Sequence, residues 1–144
     1  RSRITRISEV IAAKPKFGLT DAMALQNDAT SPMARRAVAL LQGLSGRDDN
    51  ERAALKLLAG WNGHEGPDSA AAALYEIWAA RHLPGSAVKA IVPEPARRNF
   101  GRPGIGNILP VLEDDGLLGP DPAATRTAIL LDSLGTAFAE AQAL

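Results

Sequence analysis

Apolar residues recur at intervals of three and four along most of this chain, the spacing of one face of an α-helix. This pattern predicts helices over residues 2–13, 21–29, 32–41, 51–59, 70–82 and 107–115, and a closing helix from Pro122 onward. No segment alternates apolar and polar residues as a half-buried strand does. The sequence therefore predicts an all-α fold, an irregular bundle of about six or seven short helices.

Several helix starts carry their own signals. Thr20 is predicted to be an N-cap, with Asp21 in the favourable first turn and Leu19 packing back onto the new helix. Ser31 followed by Pro32 repeats the arrangement, and Asp121 followed by Pro122 opens the closing helix. These signals predict where the helices begin.

The character of the chain changes between residues 83 and 106, where proline and glycine are frequent. We predict a loop region here with one brief helix over Ala87 to Val92. Residues 1–144 are then expected to form a single helical domain. Its parts are a helical part over 1–82, this loop region and C-terminal helices over 107–144.

Composition excludes some function classes. The 144 residues carry 16 basic and 16 acidic side chains, so no net charge points to nucleic acid or to an anionic membrane surface. There is no cysteine, which excludes disulfides and thiolate chemistry in this segment. No apolar run reaches the roughly 20 residues that span a bilayer. The chain opens on Arg1, from which we expect it to be a piece of a longer protein.

Two places contain residue types used in catalysis or metal binding. Asp28 and Gln26 end the second predicted helix, and we expect them to satisfy backbone groups where one helix joins the next. The second place is a loop containing His64, Glu65 and Asp68. Their spacing fits no recurrent metal-ligand pattern, and Asp68 or Ser69 is needed as the next helix cap, so an exposed loop is expected.

The densest basic patch comprises Arg97, Arg98 and Arg102, with Phe100 among them. Nucleic-acid binding requires more charge and a stacking platform. We expect these arginines to pair with carboxylates or with a neighbouring domain.

Several stretches resemble one protein family. Residues 17–28, FGLTDAMALQND, resemble a segment in the large subunit of penicillin acylases and acyl-homoserine-lactone acylases. Residues 54–63, ALKLLAGWNG, resemble that family's leucine-rich helix ending in a Trp-Asp-Gly turn, with Asn62 in place of the acid. Residues 69–78 and 128–144 resemble two later helices, so the resemblance covers most of the chain.

The resemblance implies an N-terminal-nucleophile amidohydrolase with an αββα core, self-cleaved into two subunits. The family's catalytic serine and asparagine lie upstream of the matched stretch, and Ser2 is not a candidate nucleophile. We therefore expect no catalytic, cofactor-binding or metal-binding residue here, since the family's calcium ligands also fall outside the match. The implied partners are the rest of the amidohydrolase chain, its catalytic core and small subunit. The implied location is periplasmic or extracellular.

Three functions remain open from the sequence. The first is a non-catalytic helical domain of an enzyme that hydrolyses carbon–nitrogen (amide) bonds, which would tend to self-associate when isolated. The second is a free-standing helical interaction module that uses Arg97, Arg98, Phe100 and Arg102 as its contact surface. The third is a metal-dependent helical enzyme that uses Asp28, His64 and Glu65.

Overall fold

The computed structural model describes residues 2–99 and 101–144. Their secondary structure is helical, which confirms the predicted all-α fold, and the described part contains no strand beyond one isolated antiparallel bridge between Thr30 and His64. The helices are α1 (Ser2–Ala12), α2 (Leu19–Gln26), α3 (Pro32–Ala39), α4 (Asp49–Leu58), α5 (Ala70–Ile77), α6 (Leu83–Ile91), α7 (Glu94–Arg97), α8 (Ile105–Glu113) and α9 (Pro122–Gln142). A π-helical segment covers Trp78–His82, and a 3-10 turn covers Asp115–Leu117.

The core forms around α9, which contacts α4, α5, α6 and the π segment. Its buried side chains include Ile129, Leu130 and Leu134. Trp78 is fully buried and donates from its indole Nε1 to the Ser133 hydroxyl at 2.8 Å. Gly135 permits close packing on α4, since a Cβ there would lie 3.0 Å from the Glu51 Cγ.

Most of the predicted helix starts are confirmed. The Ser31 hydroxyl accepts from the Ala34 amide at 3.2 Å, and Pro32 is the first residue of α3. Ser69 and Asp121 cap α5 and α9 in the same way. Each side-chain oxygen satisfies an amide that has no partner within the helix.

The predicted start of α2 is wrong. The helix begins at Leu19 with Gly18 as its N-cap, so Thr20 lies inside the first turn. Asp21 accepts from the Gly18 amide at 3.0 Å, and Lys14 pairs with the same carboxylate. Leu19 is 80% exposed and does not pack back onto the helix. The carboxylate three residues into the helix replaces the hydroxyl that we expected to cap it.

The predicted loop over residues 83–106 is also partly wrong. The chain stays helical from Ala70 to Ile91, because the π segment joins α5 to α6 without a break. In this wider turn the Leu83 amide bonds to the Trp78 carbonyl, five residues earlier. Pro84 therefore follows directly after a widened helical turn. Such π-helical turns are a common cause of distortion within an otherwise regular helix.

Continuation of this helix beyond residue 82, where the predicted helix ends, leaves Arg81 and His82 away from any helix end. Both side chains instead pair with Glu140 of α9, His82 through its Nε2 at 2.6 Å. A second correction concerns the helix predicted over residues 107–115, because α8 begins at Ile105 and Pro110 therefore lies in the helix interior.

Candidate functional site

Three of the stretches that carry the family resemblance meet at one place. The Glu65 amide donates to the Ala29 carbonyl at 2.9 Å, and the Ser31 amide donates to the Gly63 carbonyl at 2.8 Å. These bonds flank the Thr30–His64 bridge and join residues 29–31, directly after the first stretch, to residues 63–65 at the turn that ends the second. The third stretch contributes Tyr75 and Glu76 of α5. We call residues 28–31, 62–65, 75 and 76 the motif junction.

The Asn62–Gly63 turn shapes one side of the motif junction. The Asn62 Oδ1 accepts from the His64 amide at 3.0 Å, a common way for asparagine to stabilise a turn. Gly63 has a φ of 76°, and a Cβ there would lie 3.0 Å from the Ser31 carbonyl oxygen. The turn predicted from these two residues is confirmed, and only glycine suits its second position.

The aromatic side chains of Trp61 and Tyr75 pack against each other at the motif junction. Tyr75 is 3% exposed, and its ring centroid lies 5.4 Å from that of Trp61, with the planes tilted by 45°. The Trp61 indole donates to the His64 carbonyl at 3.2 Å, which ties the aromatic pair to the loop. Trp61 is half-buried and packs against the core, as we predict from sequence.

The surroundings of Tyr75 raise the pKa of its hydroxyl group. Burial raises the pKa of the Tyr75 hydroxyl, and the carboxylates of Glu65 and Glu76 raise it further. The nearby Ser31 hydroxyl lowers the pKa of Tyr75 and so opposes this shift in part. Tyr75 therefore remains a neutral hydroxyl at physiological pH.

Asp28 has the structural role expected from sequence. Its Oδ1 accepts from the Thr30 amide at 2.8 Å, and its Oδ2 lies 2.7 Å from the Arg6 guanidinium. Bonding to Thr30 is the main reason that the pKa of Asp28 falls to about 2, with Arg6 contributing. A carboxylate with so low a pKa stays ionised near neutrality, so it accepts hydrogen bonds and is a poor general base.

Two clefts flank the motif junction, and Ser31 and Glu65 line both. The first has a volume of about 450 Å³ and is bordered by α1 and α2, including Gln26. The second has a volume of about 520 Å³ and is bordered by α5 and by the segment around Arg102. Both volumes fall in the range of small-ligand sites.

Two carboxylates, those of Glu65 and Glu76, line the second cleft. The pKa of the Glu76 carboxyl is raised, chiefly by partial burial and then by repulsion from Glu65. His64, Glu65 and Asp68 are exposed, as predicted for this loop. Among the described residues, no group of three or more histidine and acidic side chains is placed to hold a metal ion.

The motif junction brings hydroxyls and carboxylates together, but the Ser31 hydroxyl accepts from a helix amide, while His64 contributes its backbone to the bridge. Nucleophilic catalysis requires a base within hydrogen-bond reach of the hydroxyl. The geometry therefore supports binding better than it supports covalent catalysis. The absence of catalytic residues stays a prediction, and Arg1 and the Ser2 side chain lie outside the described residues.

Among the described residues, the arginines of the basic patch form no ion pair with a carboxylate, and their pairing with a neighbouring domain stays a prediction. Arg97 lies in α7 and donates to the carbonyls of Val92 at 2.8 Å and Lys89 at 2.7 Å. Arg98 is exposed, and Arg102 lies at the second cleft. Phe100, also part of the predicted contact surface, lies outside the described residues.

Sequence reasoning missed two members of the site. Arg6 appears as one of several arginines off the apolar face of α1, and nothing in its position signals a partner 22 residues away. Tyr75 appears as the border of an apolar helix face. Its contact with Ser31 depends on how α3 and α5 pack, which spacing along the chain does not encode.

Comparison with known proteins supports the resemblance. A family model described as penicillin amidase matches residues 1–144, the whole chain. No curated protein matches it. In the part of the chain that the structure describes, we find no helix that combines the length and hydrophobicity needed to cross a bilayer.

Proposed function

Because the chain belongs to the penicillin amidase family, we propose that it is a helical domain of a hydrolase that acts on carbon–nitrogen (amide) bonds. In this proposal the domain is not catalytic by itself. It packs against a catalytic core supplied by the rest of the enzyme, and the motif junction borders that core.

The distribution of exposed apolar side chains is the observation that carries this proposal beyond family membership. Ile4, Ile11, Leu19 and Met23 of α1 and α2 are exposed by 70%, 46%, 80% and 59%. Among the described residues, none before Ala34 is buried. Two helices that expose apolar residues and bury none are typical of a surface that another body covers. A free-standing module is expected to cover such residues.

An activity assay tests the first part of the proposal. The purified 144-residue chain is incubated with chromogenic anilides of aromatic and aliphatic acids, and release of the aniline is followed. We expect no turnover above the buffer rate. Hydrolysis that co-elutes with the folded chain through two chromatographic steps would refute the non-catalytic assignment.

A self-association experiment tests the second part of the proposal, that the rest of the enzyme covers a surface of this domain. Sedimentation analysis over a wide concentration range is expected to show association of the isolated chain. The double substitution Leu19→Ser and Met23→Ser should reduce it, whereas the control Leu144→Ser, at a residue that is 88% exposed, should not. A chain that stays monomeric throughout would favour the interaction module, and substitution of Arg98 and Arg102 would then test its contact surface.

A further inference from the structure

The second cleft holds charged side chains that do not pair with one another. Glu65, from the loop before α5, and Glu76 of α5 line it together with Arg102, from the segment that leads into α8, and all three residues are exposed. None of the three forms an ion pair with any residue that the structure describes. The cleft therefore offers charges of both signs to a ligand.

The first cleft provides a contrast within the same protein. There, the Arg6 guanidinium lies 2.7 Å from Asp28 and 3.3 Å from Glu9, so Arg6 and Asp28 are already paired, although Arg3 and Glu65 also line this cleft. In the second cleft, burial and Glu65 raise the pKa of Glu76, and no neighbouring cation offsets this shift. A cation placed between the two carboxylates would relieve their repulsion.

The lining of the second cleft is otherwise apolar or hydroxylated. Met33, Ala79 and Ile105 contribute apolar surface, and Tyr75 and Ser31 contribute hydroxyl groups. The volume of about 520 Å³ suits a small molecule. Apolar surface beside a few convergent polar groups is the usual composition of such sites.

The signs of the charges restrict the class of ligand. A simple anion would meet two carboxylates, and a simple cation would leave Arg102 without a partner. A ligand that carries an ammonium and a carboxylate group matches both sides. Guanidinium groups bind carboxylates through parallel hydrogen bonds, which adds orientation to the charge attraction.

We propose that the second cleft binds a free amino acid with an apolar side chain. Its ammonium group lies between Glu65 and Glu76, its carboxylate pairs with Arg102, and its side chain rests on Met33, Ala79 and Ile105. This binding goes beyond the proposed function and does not depend on it, because it concerns only residues of this chain.

Isothermal titration with L-leucine in an amine-free buffer tests the proposal. We expect saturable one-to-one binding of leucine. N-acetyl-leucine lacks the ammonium charge and leucinamide lacks the carboxylate, so each should bind at least about tenfold more weakly. A tenfold loss is modest for the removal of one charged contact. Equal affinity for the three compounds, or no heat with millimolar leucine, would overturn it.

Substitutions inside and outside the second cleft test whether leucine binds there. Arg102→Gln and Glu76→Gln are each expected to weaken leucine binding about tenfold or more. Arg98→Gln and Glu94→Gln, at exposed positions outside the cleft, should leave it unchanged. Circular dichroism establishes that all four variants are folded. Unchanged affinity in folded Arg102→Gln and Glu76→Gln would overturn the assignment of this cleft, whatever the outcome of the amidase and self-association experiments.

Discussion

The two ends of this chain are stabilised in different ways. The closing helix α9 buries seven of its residues, among them Leu130 and Leu134, which are fully inaccessible to solvent. The opening helices α1 and α2 bury none of their described side chains. They are connected to each other and to the bundle through ion pairs, Lys14 with Asp21, Arg6 with Asp28 and Arg35 with Glu9.

This difference indicates that the closing end is stabilised by the core of this domain, whereas the opening end contributes little to that core. Burial of apolar surface dominates folding free energy, whereas exposed ion pairs contribute little. We therefore expect α1 and α2 to open locally at a smaller free-energy cost than α9. The arrangement suits a domain whose opening helices gain their stability when a catalytic core covers them.

The same substitution made at both ends gives the largest expected contrast. Leu134→Ala removes a fully buried side chain and should lower the free energy of unfolding by about 2–5 kcal/mol. Leu19→Ala, at a site 80% exposed, should change it by less than about 0.5 kcal/mol. Urea unfolding followed by circular dichroism measures both. Similar losses of stability would show that α2 is part of the core, and the two ends of the chain would then not differ in how they are stabilised.

A second test concerns the charged contact at the well-packed end. Glu51 is 3% exposed, accepts from the Arg47 amide at 2.7 Å and pairs with the Arg47 guanidinium, which also bonds to Asp132 of α9. Removing a buried partner leaves polar groups unsatisfied, so Glu51→Ala should cost about 2–3 kcal/mol. The control Asp49→Ala removes a side chain that is 99% exposed and paired with Arg52, and should cost far less. Equal costs in urea unfolding would contradict a special role for burial.

The sequence predicts the well-packed end better than the other. The apolar spacing of α9 and the Asp121–Pro122 start are visible along the chain, because both depend on local geometry. The pairing of Arg47 with Asp132 is not visible, since it joins residues 85 positions apart. Thr20 is misjudged for a local reason, because Asp21 competes to satisfy the same helix start. At the candidate site the Asn62–Gly63 turn is predicted, but its contact with residues 29–31 depends on packing.

A third test probes the anchoring of the opening helices through Asp28. Its folded pKa of about 2 lies below the ordinary value of 3.8, so its stabilising effect is fully present above about pH 5 and is lost as the pH falls toward 2. Asp28→Asn should lower stability by about 1 kcal/mol at pH 7 and by progressively less in acid. Hydrogen exchange of α1 amides, compared at pH 7 and at about pH 2.5 after correction for the intrinsic exchange rate, reports this local effect. A loss that does not change with pH would assign the contribution to shape and not to charge.

The smallest expected effect concerns Glu9, which lies 3.3 Å from Arg6 and 3.6 Å from Arg35. All three side chains are partly exposed, so water and salt screen their attraction and holding them together costs side-chain entropy. Glu9→Gln should therefore change the free energy of unfolding by less than about 0.5 kcal/mol, and 0.5 M salt should remove even that difference. Urea unfolding at low and high salt measures both quantities. A loss above about 1 kcal/mol that persists in salt would mean that α1 is held by a buried, cooperative contact, and the contrast between the two ends of the chain would then weaken.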